Sequence, residues 1–237
     1  EKAFEELIEK TLVGSSREER DAARLAGQQI RDEQPIYGPN KGYEAGHPGD
    51  FDRHFAIDKV KFWHFLETTQ PDELAKLHSR KNWQRLLLER LDRKIKKDGI
   101  IKILKGGLSL DDASFTLFYS PPVNDLNPLL ARHFKNNIFS VTRQVHPSDH
   151  EPAKSIDMVI FINGLPVVTI ELKNAWTGQQ AWHAKKQYMR WDPAISLFNF
   201  ARCIVHMAVD TDEVWMATRL NKEDTFFLPF NKGHNYG

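Results

Sequence analysis

SIDMVIFINGLPVVTIELKN, residues 155–174, decides the fold. Two β-rich apolar runs, MVIFI and LPVVTI, flank Asn163-Gly164. An Asn-Gly pair between such runs is a strong hairpin signal. The runs are apolar at nearly every position, the pattern of central strands covered on both faces. Charged groups stand at their outer ends: Asp157 at one, Glu171 and Lys173 at the other. Charges there are costly unless they act together.

Parity tests whether they can. Side chains alternate faces along a strand, so Glu171 and Lys173 share one. A plain two-residue Asn-Gly loop pairs position 157 with 170 and puts Asp157 and Glu171 on opposite faces. A three-residue loop, or a one-residue bulge, pairs 157 with 171 and brings the carboxylates together. The expectation is a bulged or odd-length turn with Gly164 at positive φ.

Two adjacent carboxylates repel, and a hard divalent cation relieves the repulsion. Oxygen ligation with room for water and phosphate is Mg²⁺ chemistry, with Asp157, Glu171 and the Leu172 carbonyl as candidate ligands. Such an ion lowers the pKa of a bound water and offsets charge on a phosphoryl group. Lys173 is placed to orient that water or offset negative charge. This Asp…Glu-x-Lys pattern resembles the PD-(D/E)xK nuclease superfamily, with Ile156 in place of the Pro. Glu-x-Lys alone occurs by chance in many proteins; the buried hairpin and the spaced Asp are what set this one apart.

The chain has 237 residues, with 41% hydrophobic and 27% charged residues, ordinary for a globular protein. Lys plus Arg is 33 against 32 for Asp plus Glu, a net charge of +1. That balance excludes a tight autonomous DNA binder, whose affinity would rest on neutralising phosphates. One cysteine, Cys203, excludes an internal disulfide and fits a cytoplasmic protein. No apolar run approaches membrane-spanning length, and no signal peptide is seen. The ten histidines lack zinc-site spacing. Cys203 reads as a buried, inert thiol inside an apolar strand.

Along the chain, residues 2–13 have helical spacing of Phe4, Leu7, Ile8 and Leu12. Glu5, Glu6 and Glu9 read as the wet face of that helix. The alternative is that one reaches the metal, and Glu6 is the candidate. Ser16 with Glu19 forms a capping box for a helix over REERDAARLAGQQI. Pro35 to Asp52 reads as a long loop. Residues 58–98 read as helices, the last strongly basic between Arg80 and Lys97. That run is either a wet helix face or a phosphate contact. SFTLFY (114–119) and FSVTRQV (139–145) read as strands, PLLARHF (128–134) as a helix. A helix from about Gln179 to Trp191 puts Gln187 and Trp191 on one face, where Gln187 can bond phosphate or fix a catalytic group. CIVHMAVDT and EVWMATR read as two closing strands, and the tail FFLPFNKGHNYG as having no element of its own.

FDRHFAIDKVKFWHFLETTQPDELAKL, ILKGG, FTLFYSPP, NIFSVTRQVH, DMVIFINGLPVVTIELKN and FLPFNKGH follow in order as landmarks. Together they resemble the N-terminal nuclease region of the type I restriction enzyme R subunit, over essentially the whole chain. The resemblance implies a mixed α/β PD-(D/E)xK restriction-endonuclease-like core with added N-terminal helices. It implies one nuclease domain over 1–237, with helical elaboration about 16–100 and a catalytic core about 110–220. It implies Asp157, Glu171 and Lys173 as catalytic residues and Mg²⁺ as cofactor. Gln187 matches the Gln of a Gln-x-x-x-Tyr pattern, while Trp191 stands in place of the Tyr. The implied partners are double-stranded DNA and the methylation and specificity subunits. In that family two helicase-like ATPase domains follow; their phosphate-binding signatures are absent here, so the expectation is a nuclease fragment whose ATP use lies in the missing part. Two other readings stand beside it: a non-catalytic docking module for those subunits, centred on residues 58–98, and a repair nuclease of the same superfamily.

Overall fold

A computed structural model describes residues 2–25, 42–122, 127–174 and 178–230. The chain opens with helices α1 (Lys2–Val13) and α2 (Arg17–Leu25), then short strands β1 (Glu44–Ala45), β2 (Phe51–Asp52) and β3 (Ile57–Asp58). Four helices follow: α3 (Lys59–Thr69), α4 (Pro71–Leu77), α5 (Trp83–Asp98) and α6 (Ile100–Gly106). After the small β4 (Leu108–Leu110) and β5 (Ala113–Phe115) hairpin come α7 (Pro128–Lys135), β6 (Phe139–Val145), β7 (Ile156–Ile162) and β8 (Leu165–Leu172). Helix α8 (Ala181–Arg190) leads into β9 (Val205–Val209), β10 (Val214–Ala217) and β11 (Leu228–Pro229).

Seven strands form one mixed sheet in the order β1-β6-β7-β8-β9-β10-β11. The central hairpin pairs antiparallel, while β8 with β9 and β1 with β6 run parallel. Helix α1 covers one face, with Val13 packed among Val141, Met158, Ile170 and Leu172. Helix α8 covers the other, where Ala184 and Tyr188, with Trp191 just beyond them, meet Val159 and Phe161. A larger core gathers Phe62, Phe65, Leu87, Leu91, Ile95 and Ile103 from α3, α5 and α6 against Leu165 and Val167. The helical region between 58 and 98 therefore buries its apolar stripe against the turn end of the hairpin.

The turn itself has two residues, because Ile162 pairs with Leu165. Asn163 (φ 51) and Gly164 (φ 79) both take positive φ, the requirement of a type I′ connection. Pairing then shifts: Phe161 faces Pro166 but Ile160 faces Val168, leaving Val167 as a bulge. Beyond the bulge Met158 faces Ile170, which sets Asp157 across from Glu171. The bulge supplies the shift that parity demanded, with Gly164 at positive φ as expected.

Asn163 also anchors the turn. Its side chain accepts from Ile138 N at 2.6 Å and donates to Leu117 O at 2.8 Å and Asn137 Oδ1 at 3.0 Å. It is fully buried, so these groups have no water to fall back on. Asn163→Ala costs about 4 kcal/mol by denaturant unfolding, from unpaired buried groups and an Ala at positive φ. Asn163→Gly recovers the backbone part, about 1 kcal/mol.

Several local expectations need correction. The 35–52 segment is not all loop: β1 joins the sheet edge and β2 pairs with β3, while residues 35–41 lie outside the described ones. The strand read over 114–119 ends at Phe115. The tail contributes β11, which pairs with β10, and residues 231–237 lie outside the described ones. Strands this short have no sequence period; β1 and β11 are held by the sheet edges they join, and β2 by its pairing with β3. The Ser16–Glu19 capping box is present in both directions, Ser16 N to Glu19 at 2.6 Å and Glu19 N to Ser16 at 3.2 Å. Its helix is described to Leu25. Cys203 lies just before β9 rather than inside a strand; burial pushes its thiol up to about 12, so it is inert. No helix among the described residues is long and apolar enough to cross a membrane.

Candidate functional site

The hairpin ends where β7 begins and β8 finishes, and there Asp157, Glu171 and Lys173 come together, all buried. Asp157 Oδ2 accepts from Leu172 N at 2.7 Å, so the strand end itself orients that carboxylate. Lys173 continues the ladder, its N–H donating to Val209 O at 2.8 Å. Glu171 is the most enclosed of the three, at 0% exposure. Its Oε1 accepts from the Trp191 indole N–H at 3.0 Å. Its Oε2 is buried with no hydrogen-bond partner among the described residues. Burial first, and the neighbouring Asp157 charge second, hold its carboxyl well above the usual range.

Trp191 therefore holds Glu171 through its indole N–H. Behind Glu171 lies a closed polar chain in which Thr169 Oγ1 meets Tyr188 Oη at 2.9 Å and His206 Nδ1 at 2.7 Å. Burial drops His206 to about 4, so its imidazole is neutral and adds no charge beneath the carboxylates.

A cavity of about 1000 Å³ opens over Asp157 and Lys173. Lys154 and Arg190 line it from one side, and Gln187 and Trp191 also face it. Helices α1 and α2 line the other side with Glu5, Glu6, Glu18 and Asp21, beside Lys2 and Arg17. One wall is thus basic and the other largely acidic.

Reading the first helix as wet fails at Glu5 and Glu9, which are 1% and 3% exposed. Arg143 neutralises both, with Nε to Glu5 at 3.1 Å and Nη1 to Glu9 at 3.2 Å, and Arg20 reaches Glu9 at 2.9 Å. Glu6, the candidate for the site, keeps a 42% exposed side chain and meets Arg143 only at 3.7 Å. Glu5 approaches Asp157 more closely, through Gln144. The Gln144 amide donates to Glu5 Oε1 at 3.0 Å and to Asp157 Oδ1 at 3.3 Å. Sequence reasoning preferred Glu6 to Glu5 among the three glutamates and did not name Gln144, and no local pattern singles out either residue.

Among the described residues no three or more His, Cys, Asp or Glu side chains cluster as a metal site. The donor set on offer is two carboxylates, one oxygen of them orphaned, with backbone and water to complete it. That is a poor zinc site and a fitting Mg²⁺ or Mn²⁺ site, since Mg²⁺ keeps several waters and takes one or two carboxylates. An orphaned carboxylate oxygen in a buried site is an expensive vacancy in hydrogen bonding, and a cation would fill it.

A mixed sheet layered between helices, with these carboxylates and lysine at the end of its central hairpin, defines the class: a restriction-endonuclease-like α/β core. Comparison with known families narrows it. Residues 63–225 match the family model of the type I restriction enzyme R protein N terminus, and the chain belongs to that family. No curated protein matches the chain.

Proposed function

We propose that this chain is the Mg²⁺-dependent DNA endonuclease module of a type I restriction enzyme R subunit. It hydrolyses phosphodiester bonds of double-stranded DNA with no sequence readout of its own. The observation that carries the reading is Glu171 Oε2, a buried carboxylate oxygen without a partner, set beside Asp157 under an open cavity.

Asp157, Glu171 and the Leu172 carbonyl would hold the ion. When bound, it would activate a water and offset charge on the phosphoryl group. The chain's own groups divide the remaining work. Trp191 keeps Glu171 Oε1 engaged and leaves Oε2 as the oxygen that would meet a cation. Lys173 carries a positive charge at the cavity floor, where it orients the attacking water and favours the charged transition state. Lys154 and Arg190 draw the phosphate backbone to the basic wall, and Gln187 bonds a phosphate oxygen. Among the described residues we read no base-reading element. Recognition therefore falls to the specificity subunit, working with the methylation subunit, and ATP-driven delivery to helicase-like domains of the R subunit. Such a protein works in the cytoplasm.

Titration of Mn²⁺ into the chain and into Asp157→Ala tests this. The expected result is one site in the parent and none in the variant. Equal binding in both, or none in either, defeats the reading. In the assembled enzyme Lys173→Ala lowers DNA cleavage about 10³-fold and leaves Mn²⁺ binding in place.

A further inference from the structure

Gln144 occupies an unusual position. It sits within β6, flanked by the ladder pairs Arg143–Met158 and Val145–Ile156, yet its φ is 52. A left-handed non-glycine residue inside a strand stores about 1 kcal/mol or more of strain, and such residues persist where surrounding contacts over-determine them. Here the contacts are known. Ser155 Oγ donates to Gln144 Oε1 at 2.6 Å, which fixes the amide so that its NH₂ points away from Ser155. That NH₂ donates at once to Glu5 on α1 and to Asp157 on β7. Both N–H donors and the carbonyl oxygen of the side chain are engaged.

We infer that Gln144 is a positioning residue, which fixes the Asp157 carboxylate to helix α1 and so makes α1 part of the metal site. Asp157 Oδ2 is set by Leu172 N and Oδ1 by Gln144, and the two bonds together define the carboxylate plane. Glu5 cannot drift from the amide, because Arg143 Nε holds its other oxygen at 3.1 Å. Arg143 and Gln144 are consecutive, and their side chains both reach α1. The strained backbone at 144 is what lets neighbouring residues of a strand, which would otherwise face opposite ways, share one target. This inference rests on the metal-site reading above.

Gln144→Gly separates positioning from folding. Glycine accepts φ 52 without strain, which offsets part of the cost of the hydrogen bonds lost, so the variant still folds cooperatively. Losing a partner that orients a metal ligand lowers affinity 10- to 100-fold. Gln144→Gly is therefore expected to weaken Mn²⁺ binding at least tenfold by isothermal titration, with a cooperative melting transition still present. Ser155→Ala, which frees the amide to flip, weakens it less. Parent affinity in Gln144→Gly, with binding abolished in Asp157→Ala, overturns the positioning role and leaves the metal site standing. Equal binding by the parent and Asp157→Ala, or none in either, removes the metal site and this inference with it.

Discussion

Glu171→Gln raises the melting temperature of the metal-free protein at pH 8 and abolishes Mn²⁺ binding. Both effects come from the same oxygen. In the parent, Oε2 is buried without a hydrogen bond and faces the Asp157 charge. A glutamine keeps an oxygen for the Trp191 N–H and presents an NH₂ donor towards Asp157. Replacing a buried carboxyl whose charged form burial and Asp157 disfavour is worth about 2 kcal/mol where that form is populated, a rise of several degrees in a chain this long. The pH dependence has a definite sign. Folding raises the Glu171 pKa, because burial and Asp157 disfavour the charged form. The fold therefore prefers the protonated carboxyl. The stability it contributes is full below the unfolded pKa and is lost as pH rises through the elevated folded value. Unfolding in EDTA from pH 5 to pH 9 should show the parent losing stability relative to Glu171→Gln, with the gap closing at the acid end. A gap independent of pH, or a variant less stable than the parent at pH 8, contradicts the assignment. Saturating Mn²⁺ should reverse the order, since an ion that binds only the folded state stabilises it by mass action. The stability lost at this glutamate in the metal-free protein is the stability a cation restores.

The same residues show how far the sequence reaches. The hairpin was readable because its signals are local: Asn163-Gly164, two apolar runs and a period of two. Parity then required a shift of register, and the Val167 bulge supplies it. Asp157, Glu171 and Lys173 follow from that register. Glu5 and Gln144 do not. An acidic residue on an amphipathic helix reads as solvated, and what buries Glu5 is Arg143, 138 positions away in sequence. Nothing in FSVTRQV announces a left-handed residue, because Gln has no intrinsic preference for it; tertiary contacts impose the conformation. Trp191 was readable as lining the same helical face as Gln187, but its hydrogen bond to Glu171 depends on how α8 lies across the sheet. The short strands β1 and β11 exist only because the sheet edges they join are already formed.

Gly164→Ala should destabilise the protein by about 4 kcal/mol or more. Two independent costs combine. Gly164 has φ 79, where an alanine is strained by about 1 kcal/mol. A Cβ there also lies 2.5 Å from Asp58 O, 2.6 Å from Phe62 N and 2.7 Å from Phe62 Cβ. Two of those atoms are backbone at the start of α3, and Phe62 itself is fully buried, so no flexible side chain can yield. The turn is also bonded to this place, with Asp58 N donating to Gly164 O at 2.9 Å. Relief would require the turn to lift from α3, breaking that bond and opening the core in which Leu165 and Val167 meet Phe62 and Phe65. Val167 is the bulged residue, so the strain falls on the element that sets Asp157 opposite Glu171. Urea unfolding measures the loss. A change below about 1 kcal/mol would mean the turn moves freely against α3, and the account of how the helical region holds the hairpin would fail. In variants that still fold, Mn²⁺ affinity should fall with stability, although Gly164 lies at the far end of the strands from the carboxylates. The helices between residues 58 and 106 thus act on the candidate site at a distance, by holding the register of the hairpin that carries it.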